Sequence, residues 1–273
     1  MQLDQMNLYD THMHSQFSGD SQASPRALIQ KACDLGLKGI CFTDHLDIDY
    51  KELPGLFDLD IPSYKKEIYS LKEQFAEQLD ICWGIELGLQ PYLEKENQAV
   101  ISENDFDFVI GSTHVVKQVD IYYPSFYEGR DESACYLEYF EETLKNARSH
   151  VDFDVYGHLD YVVRYGPNKN KFYTYEKYAD VIDEILRTLI QKGKGLELNT
   201  AGFKYGLGHA HPIIPILKRY KTLGGEIITL GSDGHAPEQI AWDFDKVPAI
   251  LKEAGFEYFS IFRNRRPEFI KLL

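Results

Sequence analysis

Three features are scarce in this sequence, and each scarcity argues against a class of protein. The 273 residues contain four cysteines and no Cys-X-X-Cys pair, which argues against a thiolate metal site and for reduced, mostly buried side chains. A run of about eighteen apolar residues, the length that marks a membrane span, occurs nowhere. The opening segment MQLDQMNLYD has no basic region before an apolar one. We therefore expect no signal peptide, no membrane span and a cytoplasmic protein.

Positive charge is also in short supply. The 29 Lys and Arg residues face 43 Asp and Glu residues, and the formal net charge is −14. A general nucleic-acid binder would present a basic face, so the sequence predicts no nucleic-acid partner. A phosphorylated small molecule stays compatible with this charge, because bound metal ions can dominate the local field.

Short apolar runs alternate with longer segments of helical period, which is the pattern of an α/β protein. Predicted strands cover 7–11, 39–43, 81–86, 106–112, 153–157, 195–198, 226–230 and 258–261. Helical patterns are SPRALIQKACDLG, SYKKEIYSLKEQFAEQ, YLEYFEETLKNARS and YADVIDEILRTLIQKG; in the first, Ser24 is a predicted N-cap, Pro25 begins the helix and Gly36 ends it. No linker divides the chain. We expect one domain, 1–273, built as a closed or distorted parallel barrel of seven or eight strand–helix units.

Polar residues follow the predicted strands at corresponding places. The segments are THMHS, TDH, a lone Glu86, TH at His114, HLD at His158, Asn199 and SDGH. Six of the nine histidines fall in these segments. Because the carboxyl ends of barrel strands gather around one mouth, we expect these side chains to face one another.

Imidazoles and carboxylates in this number predict a metal centre. His12 and His14, two apart on an extended strand, point to the same side, although alone the pair is more typical of surface or packing histidines than of a metal site. The full set of candidate ligands is His12, His14, Asp20, His45, Glu86, His114, His158, Asp233 and His235. A catalytic zinc takes about three protein ligands, so the set predicts two or three divalent ions, Zn, Mn or Fe, with a bridging carboxylate. Closely spaced ions activate a shared water and hold phosphoryl oxygens.

Four other residues near the motifs have two interpretations each. Asp44 is either a helix N-cap or an acceptor that orients an imidazole, and we favour the second. His150 has no strand-end position and is typical of a surface or helix-end histidine. His209 and His211, in GLGHAHP, form another His-X-His pair, but in a Gly-rich loop; they are candidates for a substrate pocket or lid and weaker candidates for metal ligands.

The motifs DTHMHS, FTDH, GIELG, GSTH, GHLD, ELNT and SDGH, in this order from Asp10 to His235, resemble the polymerase-and-histidinol-phosphatase (PHP) family. The segments GHLDYVVRYG and LELNTAGFK are similar to its monofunctional histidinol-phosphate phosphatases, rather than to domains fused to bacterial DNA polymerases. The resemblance implies a distorted (β/α)7 barrel and metal-dependent hydrolysis of L-histidinol phosphate, a small phosphate monoester of histidine biosynthesis.

The resemblance also implies three ligand sets. The first ion is held by His12, His14, Glu86 and Asp233; Glu86 bridges to a second, with His114 and His158; Asp20, His45 and His235 hold a third. Many family members have histidine at the position of Asp20. The extra negative charge here favours ions of the iron and manganese type.

Four residues are candidates for contact with the substrate, in addition to the catalytic carboxylates Glu86 and Asp233. Arg164, four residues after the HLD motif, is the predicted phosphate cation, with a surface arginine as the alternative. Lys204 is a second candidate, although similar phosphatases tend to have arginine there and lysine offers only a point charge. Phe17 and Tyr161 could stack on an imidazole or pack in the core.

Asp160 and the overall activity leave alternatives open. Asp160 is a candidate ammonium partner or general acid, and equally a solvated or orienting carboxylate. For the activity, the alternatives are a phosphoesterase of the same family that acts on nucleotides or nucleic-acid ends, and a metal-binding scaffold without catalysis.

Overall fold

The structure of the protein is a computed structural model, and it describes Leu3 and residues 6–273. The strands are Tyr9–Asp10 (β1), Gly39–Phe42 (β2), His45–Leu46 (β3), Asp80–Gly88 (β4), Phe108–Ser112 (β5), Val115–Val116 (β6), Val119–Asp120 (β7), Val155–Tyr156 (β8), Gly195–Asn199 (β9), Ile228–Gly231 (β10), Tyr258–Arg263 (β11) and Arg266–Lys271 (β12). The α-helices are Pro25–Leu35 (α1), Ile61–Gln74 (α2), Glu94–Glu103 (α3), Glu132–Arg148 (α4), Ala179–Gln191 (α5), Ala201–Lys204 (α6), Ile214–Thr222 (α7) and Val247–Ala254 (α8). Residues 1, 2, 4 and 5 lie outside the described residues. They belong to the start of the predicted domain, where we expect no signal peptide.

Seven parallel strands form the barrel, in the order β1-β2-β4-β5-β8-β9-β10. Single hydrogen bonds continue the closure between β10 and the chain after β1: Thr11 N–H donates to Leu230 O at 2.8 Å, and Asp233 N–H donates to His12 O at 2.9 Å. The strands β2, β5, β9 and β10 are buried along their whole length, which explains why they read as continuous rather than alternating apolar runs. The predicted distorted parallel (β/α)7 barrel is confirmed.

Local signals place the first helix where the sequence predicts it. The Ser24 side chain accepts from Ala27 N–H, Pro25 is the first residue of α1, and Gly36 ends it in the left-handed conformation, with φ 76°. The predicted helices α2, α4 and α5 also form. Sequence analysis misses α3, α6, α7 and α8.

The eighth predicted strand, 258–261, lies outside the barrel sheet. It belongs to β11, which pairs with β12 in an antiparallel hairpin. The hairpin turn contacts the amino ends of barrel strands, where Arg263 Nη1 donates to Asp80 Oδ1 at 2.8 Å and Arg265 Nε to Asp154 Oδ2 at 2.6 Å. The hairpin therefore covers the amino end of the barrel and leaves the carboxyl end open.

The structure also bears on the predictions for the cysteines and for membrane-spanning segments. All four cysteines are free; Cys41, Cys82 and Cys135 are buried and Cys33 is half-buried, as expected. Among the described residues, no helix is both long enough and apolar enough to cross a membrane.

Candidate metal centre

His12 and His14 lie directly after β1, in the extended segment beside the loop that follows β10. Met13 between them forms a parallel bridge with Gly234 and packs in the core. The two imidazoles point to the same side, as expected for residues two apart on an extended chain, and their Nε2 atoms are 3.1 Å apart. Both side chains are fully buried. This arrangement suits the chelation of one cation.

Glu86, near the carboxyl end of β4, lies at the middle of the centre and is fully buried. The short strand β3 brings His45 beside it, because the two residues are partners in the parallel register. Oε2 of Glu86 lies 3.2 Å from His12 Nε2, 3.4 Å from His14 Nε2 and 3.1 Å from His45 Nδ1. Its other oxygen, Oε1, lies 2.9 Å from His158 Nε2 and 3.3 Å from His114 Nε2. Each oxygen thus faces a different set of donors, which is the arrangement that a bridging carboxylate needs.

Asp233, from the loop after β10, extends this group toward Arg164. Its backbone is left-handed, with φ 52°, a conformation that aspartate tolerates better than most residues. Oδ1 lies 3.4 Å from His14 Nε2, and Oδ2 accepts from both terminal nitrogens of Arg164, each at 3.2 Å. One carboxylate therefore joins the predicted ligands to the predicted phosphate cation.

Asp20, His45 and His235 form the outer rim of the centre. Asp20 Oδ2 lies 3.0 Å from His235 Nε2 and 3.7 Å from His45 Nε2. The rings of His45 and His235 both stack on that of His14, with centroids 4.0 and 4.2 Å away. The structure thus brings the predicted ligands together at the carboxyl end of the barrel: His12, His14, Asp20, His45, Glu86, His114, His158, Asp233 and His235.

The donor atoms of this cluster are better arranged to bind cations than to form hydrogen bonds with one another. Within the described residues, donors lie within 4.8 Å of one another in the groups His12–His14–Glu86, His14–His45–His235, His45–Asp47–His114 and Glu86–His114–His158. Glu86 Oε2 and His45 Nδ1 are 3.1 Å apart, yet both are buried and neither has a partner in hydrogen-bonding geometry among the described residues. Unpaired buried groups of this kind are costly, and divalent transition metals take these ligand types. The residues therefore fit a divalent metal site.

The charges of the centre favour an ionised Glu86 and a neutral His14. Burial raises the pKa of Glu86, but the neighbouring imidazoles, that of His12 foremost, outweigh burial and hold this pKa well below its usual value. Burial lowers the pKa of His14, and the adjacent His45 and His235 lower it further. Glu86 and His14 are therefore each in the protonation state that binds a cation. Burial lowers the pKa of His12, but Glu197 and Glu86 outweigh burial and raise this pKa, so its imidazole would release a proton on binding an ion.

Sequence analysis misses Glu197, on β9, which holds two of the predicted ligands in place. Its Oε1 lies 2.6 Å from His12 Nδ1, and its Oε2 accepts from the backbone N–H of His158 at 2.8 Å. A Cβ at Gly231 would lie 2.1 Å from Oε1, so β10 needs glycine there. The contact directs His12 Nε2 toward the centre. The available signal was a glutamate inside the apolar strand GLELN.

Asp47 is a second missed carboxylate, two residues after His45. Its Oδ1 lies 2.8 Å from His114 Nδ1, and a Cβ at Gly88 would lie 2.0 Å from the same oxygen. Burial raises the pKa of Asp47, but His114 outweighs burial and brings this pKa to about 2. The carboxylate leaves His114 Nε2 directed toward Glu86.

Asp44 neither caps a helix nor touches an imidazole. Its carboxylate accepts from Ser15 N–H at 2.6 Å and from the Ser18 hydroxyl at 2.8 Å. Ser18 Oγ in turn lies 3.2 Å from His14 Nδ1. Asp44 therefore orients His14 through Ser18 rather than directly.

Asp160 lines neither cavity described below and is bonded within the fold, which fits the predicted alternative of an orienting carboxylate rather than a general acid or ammonium partner. It is fully buried and accepts from His211 Nδ1 at 2.5 Å and Ile213 N–H at 3.0 Å. These bonds tie the turn after β8 to the segment before α7, so Asp160 and His211 have structural places. His209 is half-buried, His150 is exposed after α4, and neither joins the centre.

Two predicted substrate contacts also lie elsewhere. Lys204 Nζ donates to Asp233 O and Gln239 Oε1, each at 2.9 Å, so it holds the ligand-bearing loop in place. The ring of Phe17 packs against that of Tyr64, with centroids 5.4 Å apart. Neither Lys204 nor Phe17 lines the cavities beside the candidate metal ligands. Both residues lie near a motif in sequence, but this does not determine the direction of their side chains.

The larger of these cavities has a volume of about 340 Å³ and lies beside the rim of the centre. Its lining is largely aromatic and acidic: Tyr50, Phe57, Tyr122, Tyr123, Tyr161, Tyr165, Tyr205, Asp20, Asp47 and Asp120, with His45, His114, His235 and Leu56. Tyr161, a predicted stacking residue, does face it and also stacks on His158, with centroids 4.5 Å apart. Arg164 and Asp233 line a second, smaller cavity of about 50 Å³, which shares Tyr161, Tyr165 and Tyr205 with the first. The two cavities thus place an aromatic entrance next to an arginine beside the candidate metal ligands.

The fold and the centre together define a class of protein, the parallel α/β barrels with a histidine- and carboxylate-rich site for divalent metal ions at the carboxyl ends of their strands. The sequence profile of the PHP domain family matches residues 10–201. The chain belongs to this family, as its motifs predict.

The chain is similar to relatives along almost its whole length. The histidinol-phosphatase of Lactococcus lactis subsp. lactis (strain IL1403) is 34% identical over 263 residues, which are 96% of this chain and 96% of the relative. A probable histidinol-phosphatase of Deinococcus radiodurans is 32% identical over 95% of this chain and 98% of its own. The crystal structure of the Lactococcus lactis histidinol phosphate phosphatase, complexed with zinc, L-histidinol and phosphate, matches with a TM-score of 0.88 at 33% identity, over 96% of this chain and 99% of that one.

Proposed function

We propose that this chain is a histidinol-phosphate phosphatase, which hydrolyses L-histidinol phosphate to L-histidinol and phosphate. The observation that carries the proposal is the continuity of the site. Metal ligands around Glu86, the guanidinium of Arg164 and an aromatic, acidic cavity adjoin one another, which matches the three parts of this substrate's chemistry: a phosphate, an imidazole and an ammonium. The similarity to the Lactococcus lactis enzyme along the whole chain supports the same activity.

The proposed ligand sets place two or three ions, Zn, Mn or Fe, in the centre. One set is His12, His14, Glu86 and Asp233, a second is Glu86, His114 and His158, and a third is Asp20, His45 and His235. Bound divalent ions would supply an activated water and charge for the phosphoryl oxygens. Glu197 and Asp47 keep imidazoles of the first two sets directed inward, at 2.6 and 2.8 Å.

Arg164 is the proposed phosphate-binding residue. Its side chain is 4% exposed, both terminal nitrogens donate to one oxygen of Asp233, and its buried Nε–H has no acceptor among the described residues. An unpaired buried donor of a permanently charged group is costly. A phosphate oxygen would satisfy it, and the guanidinium would then balance charge on the substrate.

The organic part of the substrate fits the outer cavity. Aromatic rings such as those of Tyr161 and Tyr165 offer faces for an imidazole or an ammonium. Asp120 lines the same cavity and accepts from Tyr50 Oη at 2.7 Å. Carboxylates at this mouth favour a cationic alcohol over a nucleotide, whose base and ribose carry no positive charge at neutral pH.

A phosphate-release panel tests the proposal. Purified protein supplied with Mn²⁺ or Zn²⁺ is assayed with L-histidinol phosphate and with nucleoside monophosphates, and we expect L-histidinol phosphate to turn over fastest. Turnover of the nucleotides at an equal rate would instead support a broader phosphoesterase, and no phosphate release at all would support a non-catalytic scaffold.

In the Arg164→Met variant we expect kcat/KM to fall roughly 10- to 100-fold, the loss of one charged hydrogen-bonding group, with unchanged metal content.

A further inference from the structure

The guanidinium of Arg164 is enclosed by tyrosine rings. Its Cζ lies 4.2 Å from the ring centroid of Tyr205, 4.7 Å from that of Tyr161 and 5.8 Å from that of Tyr165. These distances are within the range of cation–π contacts, which strengthen where the cation is desolvated. Arg164 is almost fully buried, so these rings, rather than water, are the neighbours of its guanidinium.

In-plane contacts alone do not fix the orientation of this guanidinium. The two terminal nitrogens donate to the same atom, Asp233 Oδ2, and both bonds are 3.2 Å long. A single acceptor atom leaves the plane free to rotate about it, unlike the bidentate pairing of two nitrogens with two oxygens. The rings of Tyr161 and Tyr205 therefore restrict the tilt of the plane, and with it the direction of the unpaired Nε–H.

Tyr205 is well held for such a role. Its N–H donates to Ala201 O at 2.9 Å, and its carbonyl accepts from Lys169 Nζ at 3.0 Å. The preceding residue, Lys204, is itself bonded to Asp233 O. Tyr205 thus follows a residue that is bonded to the loop carrying Asp233, the acceptor of Arg164, and the residue as a whole is 39% exposed at the mouth.

We infer that Tyr205 is a positioning residue for phosphate recognition. Its ring stacks on Arg164 and keeps the unpaired edge of the guanidinium directed at the phosphate before substrate arrives. The inference rests on the proposed phosphate-binding role of Arg164 and adds a residue that acts through it. Tyr205 is the cleaner residue to test, because the ring of Tyr161 also stacks on the predicted ligand His158.

The test compares Tyr205→Leu with Tyr205→Phe and with Tyr92→Leu in the metal-loaded protein. Tyr92 is 48% exposed and lies outside the cavity lining, so its variant is a matched control for the loss of a surface tyrosine. Binding of inorganic phosphate is measured by calorimetric titration, and inhibition by L-histidinol by steady-state kinetics. For Tyr205→Leu we expect phosphate binding to weaken roughly three- to tenfold, as loss of one cation–π contact predicts. Inhibition by L-histidinol should weaken less than phosphate binding does, and metal content and melting temperature should stay unchanged.

The remaining outcomes separate the inference from its alternatives. Tyr205→Phe keeps the ring and should bind phosphate as the wild type does; weakening in this variant would mean that the hydroxyl contacts phosphate directly and would overturn the stacking role. Loss of L-histidinol inhibition with unchanged phosphate binding would make Tyr205 a contact for the organic part of the substrate, and would equally overturn it. Because inorganic phosphate is the probe, the result stands apart from the substrate panel: the wild type could bind phosphate through Arg164 and still prefer another monoester.

Discussion

Glu86 is the residue on which the geometry of the centre depends. Its two oxygens face different imidazoles, with His12, His14 and His45 near Oε2 and His158 near Oε1. A carboxylate in this position can serve two ions at once, whereas every imidazole nitrogen serves one.

The Glu86→Ala variant should therefore lose more than a single ion per chain, together with its turnover. Metal analysis of protein purified without added metal measures this, and the buried Glu142, which bonds only to Lys145 at 2.8 Å in the described residues, provides a matched control as Glu142→Ala. An unchanged metal count in Glu86→Ala would contradict the bridging role.

Asp20 should behave differently, because it lies at the rim. Its side chain is 38% exposed and its contacts are with His235 and His45, not with His12. The Asp20→Ala variant should lose one ion and keep the ion held by His12 and His14. Metal analysis, together with turnover at added Mn²⁺ or Zn²⁺, distinguishes loss of the rim ion from loss of the ion held by His12 and His14. Loss of all metal would show that the rim is not a separate metal position.

At the scale of elements, the β11–β12 hairpin supports the end of the barrel opposite the site. Asp154 is buried, accepts from Val109 N–H at 2.8 Å and pairs with Arg265 Nε at 2.6 Å. Removing one partner of a buried charge costs more than removing an exposed pair, because the remaining charge stays desolvated.

The Arg265→Ala variant should thus lower the free energy of unfolding by about 1–3 kcal/mol, whereas Lys218→Ala, which breaks an exposed pair with Glu253, should cost about 1 kcal/mol or less. Urea unfolding measures both. Turnover per folded molecule should stay at the wild-type value in each, since the hairpin lies at the other end of the strands; a specific loss of turnover in Arg265→Ala would contradict this separation.

The barrel strands and the convergence of the candidate ligands were predictable from the sequence for a common reason. Most candidate ligands end or follow an apolar strand-like run, and a parallel barrel brings all such strand ends to one mouth, so positions as distant as 12 and 235 converge without any knowledge of side-chain contacts. Asp20 is the exception, because it lies in the loop between β1 and α1. Residues whose role depends on which way a side chain turns were not predictable in this way. Lys204, Asp160 and Phe17 adjoin motifs in sequence but point to the ligand loop, the segment before α7 and the core. Glu197 and Asp47 act through bonds to ligands that only the packed structure reveals.

At the scale of the whole molecule, the centre joins strands from both ends of the chain. His12 and His14 follow β1, and Asp233 and His235 follow β10, so a bound ion would crosslink the closing seam of the barrel.

Any ligand that binds only the folded state stabilises it in proportion to the logarithm of its concentration over its dissociation constant. Removal of metal also leaves two buried atoms, Glu86 Oε2 and His45 Nδ1, without hydrogen-bond partners in the described part of the chain. Chelation should therefore abolish turnover and lower the melting temperature, and Mn²⁺ or Zn²⁺ should restore both. In Glu86→Ala the chelator should shift the melting temperature less, because fewer ions remain to be removed. Equal melting temperatures of the wild type with and without chelator would mean that the ions contribute nothing to closure of the barrel.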